Sequence, residues 1–368
     1  MVHLSTIHQP LDVRIFMKEC RTLAAHGYEV HLVVRSPPSD KKDGVTFWPI
    51  KISPDARKIE QLWQRYRGVW QQAWQLDGDL YHFHDTELIP LGLVLKLKGA
   101  RVIYDVHEDA PREARSLNKK RPLFGLIKSF VWRFLEFLAK RFLDRFVCVT
   151  PAIAAKFPPT KTHLVRNFPL LSECQIYQQQ RSYGDRDNLI VYAGGITEIR
   201  GIQQMVAALP HLPQPLNSRL LLLGTFSPPS LEFEMQQRSG WRQVTFLGWC
   251  DRPTMISQVS RARVGLVLFH PEIDHLEAMP NKLFEYMSAG LPIVASDFPL
   301  WRNWLNKIDC GLLVDPMDSE AIARAIEYLL THPDIAEEMG RKGQAAVRDR
   351  FNWETEAQAL LELYGELA

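Results

Sequence analysis

Short apolar runs rich in Val, Ile and Leu alternate with helical patterns along almost the whole chain, and few folds accept that alternation. A run such as Pro292-Ile-Val-Ala295 has no polar face, so as a strand it must be covered on both sides. Strand–helix alternation achieves this by laying helices on both faces of a parallel sheet. In the first half, strands are predicted near Val2–His8, Glu29–Val34, Asp79–His84, Ala100–Asp105 and Arg145–Val149, and helices over Asp12–His26, Ala56–Trp74 and Leu88–Leu97. A second series places strands at Leu189–Ala193, Arg219–Leu223, Val244–Leu247, Arg263–Phe269, Pro292–Ala295 and Gly311–Val314. Helices around Ser319–Leu330, Pro333–Arg348 and Trp353–Leu367 close the chain. The expectation is an α/β protein of two doubly wound domains, since 368 residues exceed one typical core. The expected division is 1–167, a polar Gln-rich linker broken by Pro169 over 168–187, a second domain over 188–350, and a final helix over 351–368.

Composition narrows the partners. With 46% hydrophobic and 23% charged residues the chain reads as folded rather than disordered, and a net charge of +2 gives no field for nucleic acid. The five cysteines are odd in number and lack a CxxC pair, which fits buried thiols in a reducing compartment. The first residues lack a basic stretch followed by a long apolar one, and no apolar run reaches the roughly 18 residues that span a bilayer. A cytoplasmic protein is expected.

The segment Glu277-Ala-Met-Pro-Asn-Lys-Leu-Phe-Glu285-Tyr-Met-Ser-Ala carries one carboxylate into a helix that bears a second. Asn281 suits the helix start, Phe284, Met287 and Ser288 give an inward face, and Gly290 supplies the stop. Amides opening the helix at Asn281, Lys282 and Leu283, with the Lys282 cation, suit a phosphate. Glu285, about one turn further in, can accept two hydrogen bonds from a ribose diol. Glu277 by itself reads better as part of a solvated helix face. Glu285, between Phe284 and Tyr286, is harder to explain that way. Ala193-Gly-Gly-Ile-Thr-Glu-Ile-Arg200-Gly201 also links a strand to a helix; Gly195 lets backbone approach a ligand, and Arg200 can grip a diphosphate.

In the first half, Ile7-His8-Gln-Pro-Leu-Asp12-Val-Arg14 ends a strand and opens a helix. Asp12 is a natural N-cap, whereas Arg14 opposes the helix dipole and so hints at an anionic ligand. His82-Phe-His84-Asp85 and Asp105-Val-His107-Glu108 each end a buried strand with polar side chains, where α/β folds place ligands. His82 and His84 invite a metal, but no further ligand set has matching spacing and adjacent strand residues face opposite ways, so none is expected. Asp77-Gly-Asp79 reads as a turn.

The spacing of Glu277 and Glu285, within the string NKLFEYMSAGLPIVASD, resembles the E-x7-E motif of the retaining glycosyltransferases of family 4, which have the GT-B fold. The loop from Gly194 to Gly201 is similar to their glycine loop, although Ile196 stands where many members have Arg. Phe246-Leu-Gly-Trp249-Cys250-Asp-Arg-Pro253 fits the loop that borders the base. The resemblance implies two Rossmann-like domains facing a central cleft, with the last helix crossing back to the first domain from Phe351-Asn-Trp-Glu. It implies transfer of a hexose from a nucleotide-diphosphate sugar, UDP-glucose by default, to a glycan or lipid-linked glycan, with retention and without metal or cofactor. The base would lie near Trp249 and Cys250, the ribose on Glu285, and the diphosphate among Gly195, Arg200, Asn281, Lys282 and Leu283. Glu277 would contact the sugar. His107, and after it His84, would act on the acceptor side with His8, Arg14 and Glu108. A sugar-nucleotide epimerase of the same architecture, or a non-catalytic nucleotide-sugar scaffold in a polysaccharide assembly complex, are the alternatives.

Between Lys119 and Arg145, eight Lys or Arg residues stand against Glu136 and Asp144, with Leu126, Ile127, Phe130, Val131, Phe134 and Leu138 at helical spacing. Two readings stay open. One is a peripheral element lying on an anionic membrane; the other is a domain helix with its apolar stripe in the core and its basic face in water.

Overall fold

The computed structural model describes residues 1–53, 55–116, 118, 121–179 and 181–367, without the side chains of 58 and 178. Lys119 and Lys120 of the basic segment therefore lie outside the described residues. The chain forms two compact units: residues 1–167 with the C-terminal helix Trp353–Leu367, and residues 168–352.

The first unit is built on eight strands: β1 (Val2–Leu4), β2 (Val30–Arg35), β3 (Lys41–Lys42), β4 (Val45–Ile50), β5 (Leu80–Phe83), β6 (Arg101–Val106), β7 (Arg145–Cys148) and β8 (Thr162–Leu164). Their order is β3-β4-β2-β1-β5-β6-β7-β8, parallel except for the short β3. Strands β3, β4 and β8 go beyond the sequence expectation. Pro49 is tolerated inside β4 because β3 pairs only as far as Thr46, so Pro49 sits on open edge where no N–H is needed.

The first helical segment, Val13–Cys20, is π-wound and begins at Asp12, whose side chain accepts from the amides of Arg14 and Ile15 as expected. The wider winding turns Arg14, Lys18 and Glu19 inward along with Ile15, Phe16 and Cys20. Within this unit the helix Trp353–Leu367 inserts Tyr364, whose hydroxyl lies 2.7 Å from His82 Nδ1 and 3.1 Å from His3 Nε2. Trp353 Nε1 donates to Thr22 Oγ1 at 2.9 Å.

The basic helix spans Pro122–Phe142 and packs against the rest of the unit through Gly125, Ser129, Glu136 and Ala139. Leu123, Phe124, Leu126, Ile127, Phe130, Val131, Phe134 and Phe137 are exposed instead. The small and polar face is the buried one, which removes the reading of an apolar stripe turned to the core. Among the described residues no helix is long and apolar enough to cross a membrane.

The second unit has six parallel strands: β9 (Leu189–Ala193), β10 (Arg219–Leu223), β11 (Val244–Gly248), β12 (Val264–Val267), β13 (Ile293–Ser296) and β14 (Gly311–Val314). Their order, β11-β10-β9-β12-β13-β14, is the doubly wound one. Alternation is complete on β10: Leu220 and Leu222 enter one apolar layer, Leu221 and Leu223 the other. Residues 168–187, expected to link the domains, fold into this unit. They contain the helix Leu171–Gln178, and Phe168 packs edge-on against Phe284 at 4.7 Å and Phe351 at 5.3 Å. Its polar residues masked the anchors Phe168, Cys174, Tyr177 and Tyr183.

Gly201 has φ +81°, and a Cβ there would fall 2.0 Å from the Leu268 carbonyl oxygen. Gly201→Ala is expected to cost about 2–4 kcal/mol, read as a lower urea midpoint. An unchanged midpoint would show that the loop yields freely.

Candidate functional site

In an open parallel sheet the ligand crevice opens where the strand order reverses, outside the carboxyl ends. In the second unit that point lies between β9 and β12. The glycine loop leaves β9 there, with φ +127° at Gly194. A Cβ on Gly224, at the end of β10, would come 1.9 Å from the Gly194 carbonyl oxygen, so the two loops meet backbone to backbone. Ile196, the departure from the family loop, is fully buried and bridges to Phe226. An arginine side chain in the same place would bury a charge.

The helix expected at Asn281 spans Asn281–Ser288, with Pro280 at the N-cap and no side-chain cap. Asn281 is thus its exposed first residue rather than its cap. The Leu283 amide donates to the Pro280 oxygen at 3.0 Å and its side chain is buried, which removes Leu283 from the expected anion-binding amides. Lys282 turns inward. It is 8% exposed, its ammonium stands 3.8 Å above the Tyr192 ring and 5.4 Å from the Phe269 centroid, and its Nζ has no hydrogen-bond partner among the described residues. A Cβ on Gly194 would lie 3.2 Å from that nitrogen. Arg200 comes to the same loop, donating from Nη1 to the Gly195 oxygen at 3.3 Å. Burial holds the Lys282 pKa well below the ordinary lysine value, the Arg200 charge lowers it further, and Glu285 opposes them. Two cations therefore converge on one glycine loop at the switch point.

Glu285 is half-buried and held by a residue that sequence reasoning missed. Arg252 donates from Nη1 to Glu285 Oε1 at 2.5 Å, and from Nε and Nη2 to the two Glu173 oxygens at 2.9 and 2.7 Å. Arg252 opens the helix Arg252–Val259, capped by Asp251. A cation in the first turn, against the dipole, was the available signal. Glu173 was hidden in the supposed linker. Trp249 is exposed beyond β11, and Cys250 is half-buried beside it. Glu277 is exposed after the short helix Ile273–Leu276.

In the first unit the strand order reverses between β1 and β5. Asp85 accepts from the Thr6 amide at 2.6 Å and from Ser5 Oγ at 3.0 Å, and its Oδ1 lies 3.1 Å from His8 Nδ1. Burial disfavours the His8 cation, but the bond and charge of Asp85 outweigh it and the pKa is raised. His107 is half-buried with Nε2 3.0 Å from Asp105 Oδ2, its ring 5.2 Å from that of His8, and Glu108 beside it is exposed.

Two expectations are corrected here. Arg14 is not a cation awaiting an anion, because it is buried and grips Asp105 through Nε and Nη2 at 3.0 and 2.9 Å, with Nη1 donating to the Val165 oxygen. His84 is buried with Nδ1 3.2 Å from Asp105, and burial pushes its pKa down to about 4, so it cannot reach an acceptor. Both act by fixing Asp105 beneath His107. The argument against a shared face for His82 and His84 also fails, since residues two apart point the same way, and their rings stack at 4.7 Å.

Lys282→Met should raise the stability of the ligand-free protein by on the order of 1–2 kcal/mol, because it removes an uncompensated buried charge. A lysine pKa lowered by folding destabilises most when both states are protonated. The advantage of the variant is therefore full below the lowered folded value and fades as pH rises from that value toward 10.5. Urea unfolding at several pH values measures this; a less stable variant would mean the ammonium is satisfied.

Residues 175–346 match the family model for glycosyl transferases group 1, and residues 13–167 match the glycosyl transferase 4-like domain. A phosphatidyl-myo-inositol mannosyltransferase of Mycobacterium leprae is 28% identical over 194 residues, 52% of this chain and 50% of that protein. The chain spans about half the length of the curated relatives it matches. Among solved structures, sucrose-phosphate synthase of Thermosynechococcus elongatus superposes with a TM-score of 0.73 at 20% identity, covering 96% of this chain and 92% of that one. Anabaena HepE in complex with UDP and glucose gives 0.72 at 17% identity, covering 99% and 98%.

Proposed function

The chain belongs to the group 1 glycosyltransferases and has their GT-B fold, and we propose that it moves a hexose from a nucleotide-diphosphate sugar to a glycan or lipid-linked glycan. The observation that carries this reading is the buried, unpartnered ammonium of Lys282 beside the glycine loop. A diphosphate supplies the missing partner, with Arg200 and the Asn281 amide as further donors. Glu285, oriented by Arg252, receives the ribose diol; the base lies toward Trp249 and Cys250, and Glu277 contacts the sugar hydroxyls. UDP-glucose is the default donor. The complex that Anabaena HepE forms with UDP and glucose supports that choice.

As C1 leaves the diphosphate, negative charge grows on the departing oxygens, and fixed cations nearby stabilise it without reorganising. The departing phosphate oxygen takes the acceptor proton, so transfer proceeds with retention, without a protein nucleophile and without a metal. His107, set by Asp105, serves the acceptor side with His8 and Glu108. Envelope or surface polysaccharide is the product class, consistent with relatives such as the lipopolysaccharide glucosyltransferase WaaG of Escherichia coli.

Calorimetry with UDP tests the donor side. Lys282→Met should weaken binding about 10- to 100-fold, the worth of a charged hydrogen bond, and Glu285→Ala should abolish it, while His107→Ala should bind normally and lose transfer. Unchanged affinity in both donor variants would remove the proposed placement. Release of free sugar from labelled nucleotide sugars distinguishes an enzyme from a scaffold, which would retain the label intact.

The helix Pro122–Phe142 adds a location. Its exposed Phe and Leu residues, among Lys128, Arg133, Lys140 and Arg141, suit insertion into the headgroup region of an anionic bilayer at the inner face of the plasma membrane. The protein should float with phosphatidylglycerol vesicles, and the double variant Phe130→Asp and Phe134→Asp should not. Equal flotation of both would sink the assignment.

A further inference from the structure

Beneath the His8 and His107 surface lies a second polar cluster, of which only His84 has been given a part in transfer, through Asp105. His3 on β1 and His82 on β5 are paired in register, His84 follows on the same face, and the π-wound segment Val13–Cys20 sets Glu19 against them. One ligand atom from each of the four lies within 4.8 Å of the others, and every one of these side chains is buried.

The hydrogen-bond partners sort the ring nitrogens into two sets. His82 Nδ1 and His3 Nε2 face the Tyr364 hydroxyl at 2.7 and 3.1 Å, and His84 Nδ1 faces Asp105 at 3.2 Å. The remaining nitrogens turn inward: His3 Nδ1 and His84 Nε2 hydrogen-bond to each other at 3.0 Å, and His82 Nε2 has no hydrogen-bond partner among the described residues. Among the described residues neither Glu19 oxygen accepts a hydrogen bond; Arg14 Nε forms an ion pair with Oε1 at 3.1 Å without being aligned to donate. Arg14 is already spent on Asp105, so one guanidinium faces two buried carboxylates. A dry interior does not hold that imbalance without another positive charge.

We propose that His3, His82, His84 and Glu19 bind a divalent transition-metal ion of the zinc type. Three imidazole nitrogens and one carboxylate make a closed tetrahedral set, whose ligand atoms lie roughly 3.3–3.5 Å apart around zinc. Tyr364 and Asp105 then hold the outer ring N–H groups, as partners of metal-bound histidines do. The ion is structural. It clamps β1, β5 and the π-wound segment, and through Tyr364 it fixes the helix Trp353–Leu367. The rival occupant of the same space is a proton on Glu19.

The test uses the full-length, tag-free protein made in zinc-supplemented medium, denatured, and assayed for released metal. About one equivalent per chain is expected, with less than a tenth of that from Glu19→Gln and from His82→Gln. Refolding with Co²⁺ should give the intense visible absorption of a tetrahedral site, and zinc present during refolding should raise the Tm. Natively folded wild-type protein that carries no metal, gives no cobalt band and shows the same Tm with or without zinc overturns the proposal. Equal metal in wild type and both variants overturns it too, since the ion then sits elsewhere.

Discussion

A parallel sheet covered on both faces leaves only its strand ends for chemistry, and both units of this chain obey that constraint. On β10 every side chain from Leu220 to Leu223 is committed to one apolar layer or the other. Polar groups with ligand-facing roles therefore collect at the carboxyl ends, around β9 and β12 in one unit and around β1 and β5 in the other. Helix starts face the same ends, so backbone amides and cations reach one place without special design.

Within each site, buried charge is handled in opposite ways. Asp105 is surrounded by Arg14, His84 and His107; burial works against its charge, but the Arg14 guanidinium together with His107 and the His84 hydrogen bond outweighs it and holds the carboxyl well below the usual range. Lys282 has aromatic faces and no acceptor. A satisfied network makes a fixed platform, whereas an unsatisfied ammonium keeps free energy in reserve for an incoming anion. The first arrangement fits positioning, the second binding.

Most strands and the doubly wound architecture were legible because their signal is local: apolar runs of strand length separated by helical patterns. So were the helix Asn281–Ser288 and the strand Ile293–Ser296 within the string that begins at Glu277. What the sequence hid depended on long-range partners. Arg14 and His84 look like ligand-facing groups until Asp105, 91 and 21 residues away, is seen to claim them. Arg252 and Glu173 join Glu285 across 33 and 112 residues of chain, a meeting no local pattern announces. The stretch around Pro169 read as a linker because its few anchors, Phe168 and Tyr177 among them, are diluted by glutamine. The basic helix was ambiguous for a plainer reason: periodicity marks an apolar face but does not say what covers it.

The glycine loop is stitched to its neighbour as well as pressed against it. Ile196 N–H donates to the Thr225 oxygen and Ser227 N–H to the Ile196 oxygen, both at 2.9 Å, which carries sheet-like pairing past the ends of β9 and β10. A loop pinned in this way has little ordering entropy left to lose when a ligand arrives. The phosphate seat proposed at this loop would thus be moulded in advance rather than closed as a flap, leaving selectivity among nucleotide sugars to the parts that can still shift around it.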